Sequence, residues 1–219
     1  MAPGNSIGIT TVAGDYTQAT GSTLEIETDG ARPRGPGSSH DLIDVGGTAT
    51  LEAGSTVRVL VANPGGFSIG ERLIIIDAVG GVTDAGADIV TPAAGAALLF
   101  RRDPAFTDGD GQYAIVTELG SLLDAARGEE NRLIAAALDS LPPTAPGSDL
   151  NDMLSRLGGM DAGGINRALG ELNPKPLEVL GPVAADVADM YHRNLAAHTA
   201  STGPGPAGLQ AAAPPMADA

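Results

Sequence analysis

Ser68 sits in Gly66-Phe67-Ser68-Ile69-Gly70, which has the G-x-S-x-G spacing of a nucleophile elbow. That chemistry needs a strand before the serine, a helix after it, and an Asp and a His brought up to activate the hydroxyl. The residues after the motif instead form a β-prone run at 73–76, and His40, His192 and His198 lie beside a loop or in the last helical stretch. A glycine-bounded corner explains the motif better. Asp108-Gly109-Asp110-Gly111 suggests a calcium loop, but counting from Asp108 the sixth position is Tyr113, where Gly is required, and the twelfth is Leu119, where Glu is required. The stretch reads as a polar turn, with calcium at Asp108 and Asp110 left open. Close by stands Arg101-Arg102-Asp103. A carbohydrate lyase sets a basic side chain beside metal-holding carboxylates, because the proton it removes is α to a carboxylate. Strand alternation puts Arg101 and Arg102 on opposite faces, so ion pairs on a solvated surface are expected instead. His192 and His198, six residues apart, lack the i, i+4 spacing of a two-His metal site, and Met190 and Tyr191 read as packing. Gly203-Pro204-Gly205-Pro206-Ala207-Gly208 fits G-x-G-x-x-G, but no strand precedes it and its prolines remove the amides a phosphate needs. No catalytic, cofactor-binding or metal residue is therefore assigned, no cofactor is expected, and the chain reads as a non-enzyme.

Composition narrows the partners. Of 219 residues, 27 are acidic and 12 basic, a formal charge of −15, and Lys175 is the single lysine. Phosphate-rich partners need clustered cations, so nucleic acid and anionic membrane are excluded as expectations. Without cysteine there is no disulfide and no thiolate chemistry. No run reaches the ~18 apolar residues of a membrane helix, and residues 1–5 carry neither the basic nor the apolar region of a signal peptide. Neither direct membrane insertion nor a leader is expected in this chain.

Along the chain, a β-rich part at 1–118 gives way to a helical part at 119–200 and a Gly/Pro/Ala tail at 201–219 that reads as disordered. Thr23-Leu24-Glu25-Ile26-Glu27-Thr28 alternates cleanly, as do Val57, Val59 and Val61 with Arg58 and Leu60. Strand candidates centred near residues 9, 26, 45, 59, 75, 99 and 115 are spaced more widely than the ~8–12 residues of a meander. A solenoid suits such gaps. A β-sandwich with a hairpin at Val45-Gly46-Gly47-Thr48 suits them as well, and periodicity leaves both open. Leu73-Ile74-Ile75-Ile76 is apolar on both strand faces, which predicts a cover supplied by the helical part. That part holds amphipathic stripes at Leu133, Ile134, Ala137, Leu138 and Leu141, at Leu150, Met153, Leu154 and Leu157 after a Ser148-Asp149 cap, and at Ile165, Ala168, Leu169 and Leu172. A last stripe runs over 182–195. Helices this short are marginal alone, so their faces must pack on each other, on the strands or on something else.

Gly14-Asp15-Tyr16-Thr17-Gln18 with Gly21-Ser22-Thr23-Leu24-Glu25-Ile26-Glu27 resembles a β-helix motif of autotransporter passenger domains. The runs at 41–51 and 70–78 resemble it too. The run at 131–139 is similar to the helical segment that follows such passengers, and Ala168-Leu169-Gly170-Glu171-Leu172-Asn173-Pro174 to the pattern ahead of the translocator barrel. The similarity spans roughly 8–198 in the family's order. It implies a right-handed parallel β-helix followed by short helices, serving as a non-enzymatic stalk segment at the cell surface or outer membrane. Its partner would be a barrel encoded separately or lost, with a surface polysaccharide or host ligand as further partner. The family also carries a secretory signal and a barrel, and the resemblance therefore implies a product truncated before its barrel, which could remain cytoplasmic. The alternative is a small carbohydrate-binding or carbohydrate-cleaving β-solenoid.

Overall fold

Ile9 lies beside Leu42, Tyr16 beside Ala49 and Thr23 beside Thr56: across most of the parallel pairs the neighbour of a residue is the one 33 positions on, and across the last of them, at Thr56 and Asp88, 32. The computed structural model describes residues 6–92, 97–173, 189–190 and 192–193. Within them the strands are β1 (Ile9–Val12), β2 (Tyr16–Gln18), β3 (Thr23–Asp29), β4 (Leu42–Val45), β5 (Ala49–Leu51), β6 (Thr56–Ala62), β7 (Arg72–Ala78), β8 (Val82–Asp84), β9 (Asp88–Val90), β10 (Leu98–Arg102) and β11 (Gln112–Leu119). The helices are α1 (Glu129–Asp139), α2 (Asp149–Gly158) and α3 (Ala162–Glu171). Three sheets run β1-β4-β7-β11-β10, β2-β5-β8 and β3-β6-β9.

Both fold expectations need correction. The right-handed parallel β-helix does not stand, because β11 runs antiparallel to β7 and β10 antiparallel to β11. The result is three sheets of short, mostly parallel strands, one of them mixed, followed by helices. The reversal has a local cause: the link from β10 to β11 carries Asp103-Pro104 and Asp108-Gly109-Asp110-Gly111, turn chemistry too short for the crossover a parallel pair requires. The β-sandwich alternative fails as well, since β4 and β5, on either side of Gly46-Gly47, belong to different sheets and form no hairpin. A side chain in place of Gly47 would sit 2.2 Å from the Asp15 carboxylate and 2.9 Å from the Gly14 backbone, so the corner stays narrow because it is glycine.

The core lining is aliphatic. Leu24, Ile26, Ile43, Val45, Leu51, Val57, Val59, Ile75 and Ile76 are fully buried, each contributing about 1.5–3 kcal/mol. Glu25 and Glu27 sit on the other face of β3, as the alternation predicts. The apolar run in β7 has a different explanation from the one expected. Tyr113 pairs with Ile76 and Ala114 with Ile74, so a β-bulge at Ile75 shifts the phase by one. Leu73 and Ile75 face inward before the shift, Ile76 and Ala78 after it, and no helical cover is needed to explain four apolar residues in a row.

The loop between β3 and β4 turns back on its own sheet. Asp29 N–H donates to the Ser39 carbonyl, Asp41 N–H to the Glu27 carbonyl, and Thr28 bridges His40 in antiparallel fashion. The buried Asp41 carboxylate completes the seam, accepting from the amides of Gly8 at 2.8 Å and Glu27 at 2.7 Å. At the other end, residues 107–111 line β8: Gly109 N–H donates to the Val82 carbonyl and Val82 N–H to the Asp110 carbonyl.

The helices gather around a second apolar cluster that includes Leu122, Ala126, Ala135, Leu154, Leu157, Ile165 and Leu169. α1 presents its expected face only in part: Ile134 and Leu138 pack against this cluster, but Ala135 is the fully buried residue and Leu133 is 66% exposed. By contact the chain forms two units, Met1–Asn173 and Pro174–Ala219. In the second, residues 189, 190, 192 and 193 are helical. The rest of the stripe at 182–195, His198 and the tail from 201 lie outside the described residues.

Candidate functional site

α2 is held to the sheets by polar groups rather than by its leucines alone. Ser148 caps it, accepting from the Asn151 amide at 3.2 Å, an interaction of about 1 kcal/mol. One turn on, Asn151 Nδ2 donates to the Ile69 carbonyl at 3.1 Å, and Ser155 Oγ accepts from the Ile69 amide at 2.9 Å. Both side chains are buried, and together they satisfy both backbone groups of one residue. Beyond them the chain closes further, since a Cβ at Gly159 would lie 2.3 Å from the Gly65 Cα.

This seating opens a cleft of about 510 Å³ between the outer face of β10–β11 and the α1–α2 connection. Ile69, Leu119, Leu138 and Leu154 line it, Leu99 and Leu141 flank it partly exposed, and Pro142-Pro143 forms one lip. At its mouth Arg101 pairs with Glu118. Asp139, the other carboxylate in the cleft, accepts from Ser121 Oγ at 2.9 Å and from the amides of Leu122 and Leu123 at 3.0 and 3.2 Å. It therefore caps the turn at 122–124. The arrangement can hold an apolar group beside a paired ion; it brings no nucleophile and base together.

The motifs singled out in the sequence are consumed by the fold. Phe67 of the serine motif is core, Ser68 N–H donates to Glu71 at 3.1 Å and its carbonyl accepts from Thr117 Oγ1, and Ile69 is the seat of α2. Asp108 accepts from the Asp84 amide at 3.0 Å and Asp110 from the Thr107 amide at 2.8 Å, which makes both turn-formers. Among the described residues no group of three or more acidic or His side chains is arranged for a metal. Arg101 and Arg102 do diverge: Arg101 takes Glu118, Arg102 takes Asp84 at 3.0 Å, and Asp103 takes Arg72 at 2.6 Å. His40 is buried, with Nδ1 3.1 Å from Ser39 Oγ and Nε2 3.0 Å from the Ile74 carbonyl. Burial holds its pKa below the usual imidazole value. With one ring nitrogen on a backbone carbonyl, His40 anchors the loop instead of activating the serine.

No family model, curated protein or solved structure matches this chain.

The strongest electrostatic feature, which no local motif announces, is centred on Asp84. One carboxylate oxygen accepts from Gly86 and Ala87 amides at 3.0 and 2.8 Å; the other accepts from Arg102 and from the Tyr113 hydroxyl, both at 3.0 Å. Burial pushes this carboxyl up, but the two amides, Arg102 and Tyr113 outweigh it, and its pKa falls below the usual range. Burial and the Asp84 charge raise the Tyr113 phenol. Phe106 packs edge-on to Tyr113 at 4.9 Å, with the Arg102 guanidinium 5.8 Å from its centroid. The signal available in sequence was an acid at the inward position of a short strand, in Val82-Thr83-Asp84. Among the described residues no helix is long and apolar enough to cross a membrane.

Proposed function

We propose that this protein is a non-enzymatic structural segment, the spacer of an autotransporter-like bacterial surface protein with an outer-membrane barrel as its partner. The 33-residue register carries this reading. Side chains as well as backbones are tied to the residue one register away: Asp15 to Thr48 at 2.7 Å, Arg58 to Glu25 at 3.0 Å, Asp41 to Gly8 at 2.8 Å. Many bonds thus share any load in parallel. The acids and bases that chemistry would need are engaged in structural hydrogen bonds, Asp84, Asp103, Asp108 and Asp110 among them. The carbohydrate alternative lacks such support: Tyr16, Phe67, Phe100 and Tyr113 are buried, and Phe106 lies beneath Arg102. No exposed ring among the described residues offers a sugar its stacking platform.

Two measurements test the proposal. Antibody raised to the purified chain is expected to label intact source cells, and the chain pulled by its ends is expected to resist extension until the sheets give way in one step. Labelling that appears only after permeabilisation, or turnover of an acidic polysaccharide by the purified chain, overturns it.

A further inference from the structure

The face of α2 turned away from the sheets ends in a groove against α3, lined among the described residues by α2, α3 and the link between them. Met153, Leu157, Met160 and Leu172 form its floor, in a space of about 440 Å³. Met160, in the link between α2 and α3, is 37% exposed, and Leu172, just past the end of α3, 45%. Methionine fills irregular contacts and suits a surface that must adapt to what lies on it. Around this floor stand Asp149, Asp152 and Glu171 with a single cation, Arg156. None of these four forms an ion pair among the described residues.

We propose that the α2–α3 groove binds an amphipathic helix of another protein, one that sets apolar anchors against Met153, Met160 and Leu172 and Lys or Arg against the acidic rim. The ten residues of α2 extend ~15 Å at 1.5 Å per residue, so the partner helix spans about three turns. Charge selects the occupant. From 174 onward this chain carries two cations, Lys175 and Arg193, against four acids, and a second copy brings a net −15; both repel the rim. A basic partner is attracted by it, most strongly at low salt. The surface stands whether or not the protein is a spacer.

The test titrates the full chain against a fluorescent synthetic helix of about four turns, with Leu at i, i+3, i+4 and i+7 and Lys on both flanks, and against the same peptide with Glu for Lys. The Lys peptide is expected to bind saturably and the Glu peptide not at all. Glu171→Lys, which also suits the C-terminal end of α3, and Asp152→Lys are each expected to weaken binding about tenfold at low salt and far less at high salt. Equal binding of the two peptides, no binding of either, or indifference to both reversals overturns the proposal. So does a photo-crosslinker at position 160 that captures residues 174–219 or a second copy.

Discussion

Gln18 and Asp84 stand at opposite ends of one column across β2, β5 and β8, with Leu51 between them. Both are buried polar side chains at inward positions, and they are treated very differently. Asp84 meets four donors. Gln18 takes the Tyr16 hydroxyl on its oxygen, while its Nε2, like the Thr28 hydroxyl in β3, finds no hydrogen-bond partner among the described residues. Burial alone, then, does not make a polar residue structural. A satisfied network specifies one arrangement of the chain, whereas a half-satisfied one costs free energy.

The sharpest way to break the contrast is to remove what both ends share. Ile75→Asp places a charge in the common core at the bulge and is expected to abolish the cooperative unfolding transition by circular dichroism, taking both ends with it. Next, Asp84→Asn strands Arg102 and weakens four hydrogen bonds; a loss of about 3 kcal/mol in urea unfolding is expected. Acid separates Asp84 from the loop before β4. His40, which bridges Thr28 of β3, has a depressed folded pKa, so the stability it contributes is complete above about 6.5 and is lost as pH falls from there. Asp84, also depressed, keeps its contribution until pH falls below about 3.9. Asp41 runs opposite to both: burial raises its folded value, so proton uptake there adds stability as pH falls through that value. Hydrogen exchange at pH near 5 is therefore expected to quicken at 39–41 before it quickens at 82–84, and His40→Gln should erase that difference. At the Gln18 end, replacing both partners (Tyr16→Phe with Gln18→Leu) is expected to change stability by less than about 1 kcal/mol or to raise it, because an unpaired amide leaves the core. The smallest effect belongs to Glu25→Ala, which removes a half-exposed ion pair with Arg58, at about 0.5 kcal/mol.

Much of the strand interior was legible. Alternation placed Leu24, Ile26, Val57 and Val59 inside because a pleated strand offers only two faces. Pairing was not read, although Gly21-Ser22-Thr23 and Gly54-Ser55-Thr56 repeat the same triplet 33 residues apart and state the register outright. The apolar run of β7 misled because a bulge changes phase without leaving any mark in hydropathy. α2 was legible in part: Leu154 and Leu157 are buried and Met153 packs against their cluster as the stripe predicts, but the docking also depends on Asn151 and Ser155, polar residues that a hydrophobic stripe ignores, and Leu150 is left exposed. The site was less legible than the fold, since Asp84, Arg102 and Tyr113 come from three separate strands and no local spacing relates them.

The backward fold of residues 39–41 along β3 has a consequence for how copies of the chain behave in bulk. Those residues occupy backbone donors and acceptors that a long strand would otherwise offer to any passing strand. A chain shortened through this loop would bare them, and molecules so exposed would join edge to edge into insoluble fibres. The detour thus acts as a bumper, keeping a strand-rich molecule discrete where copies of it crowd together.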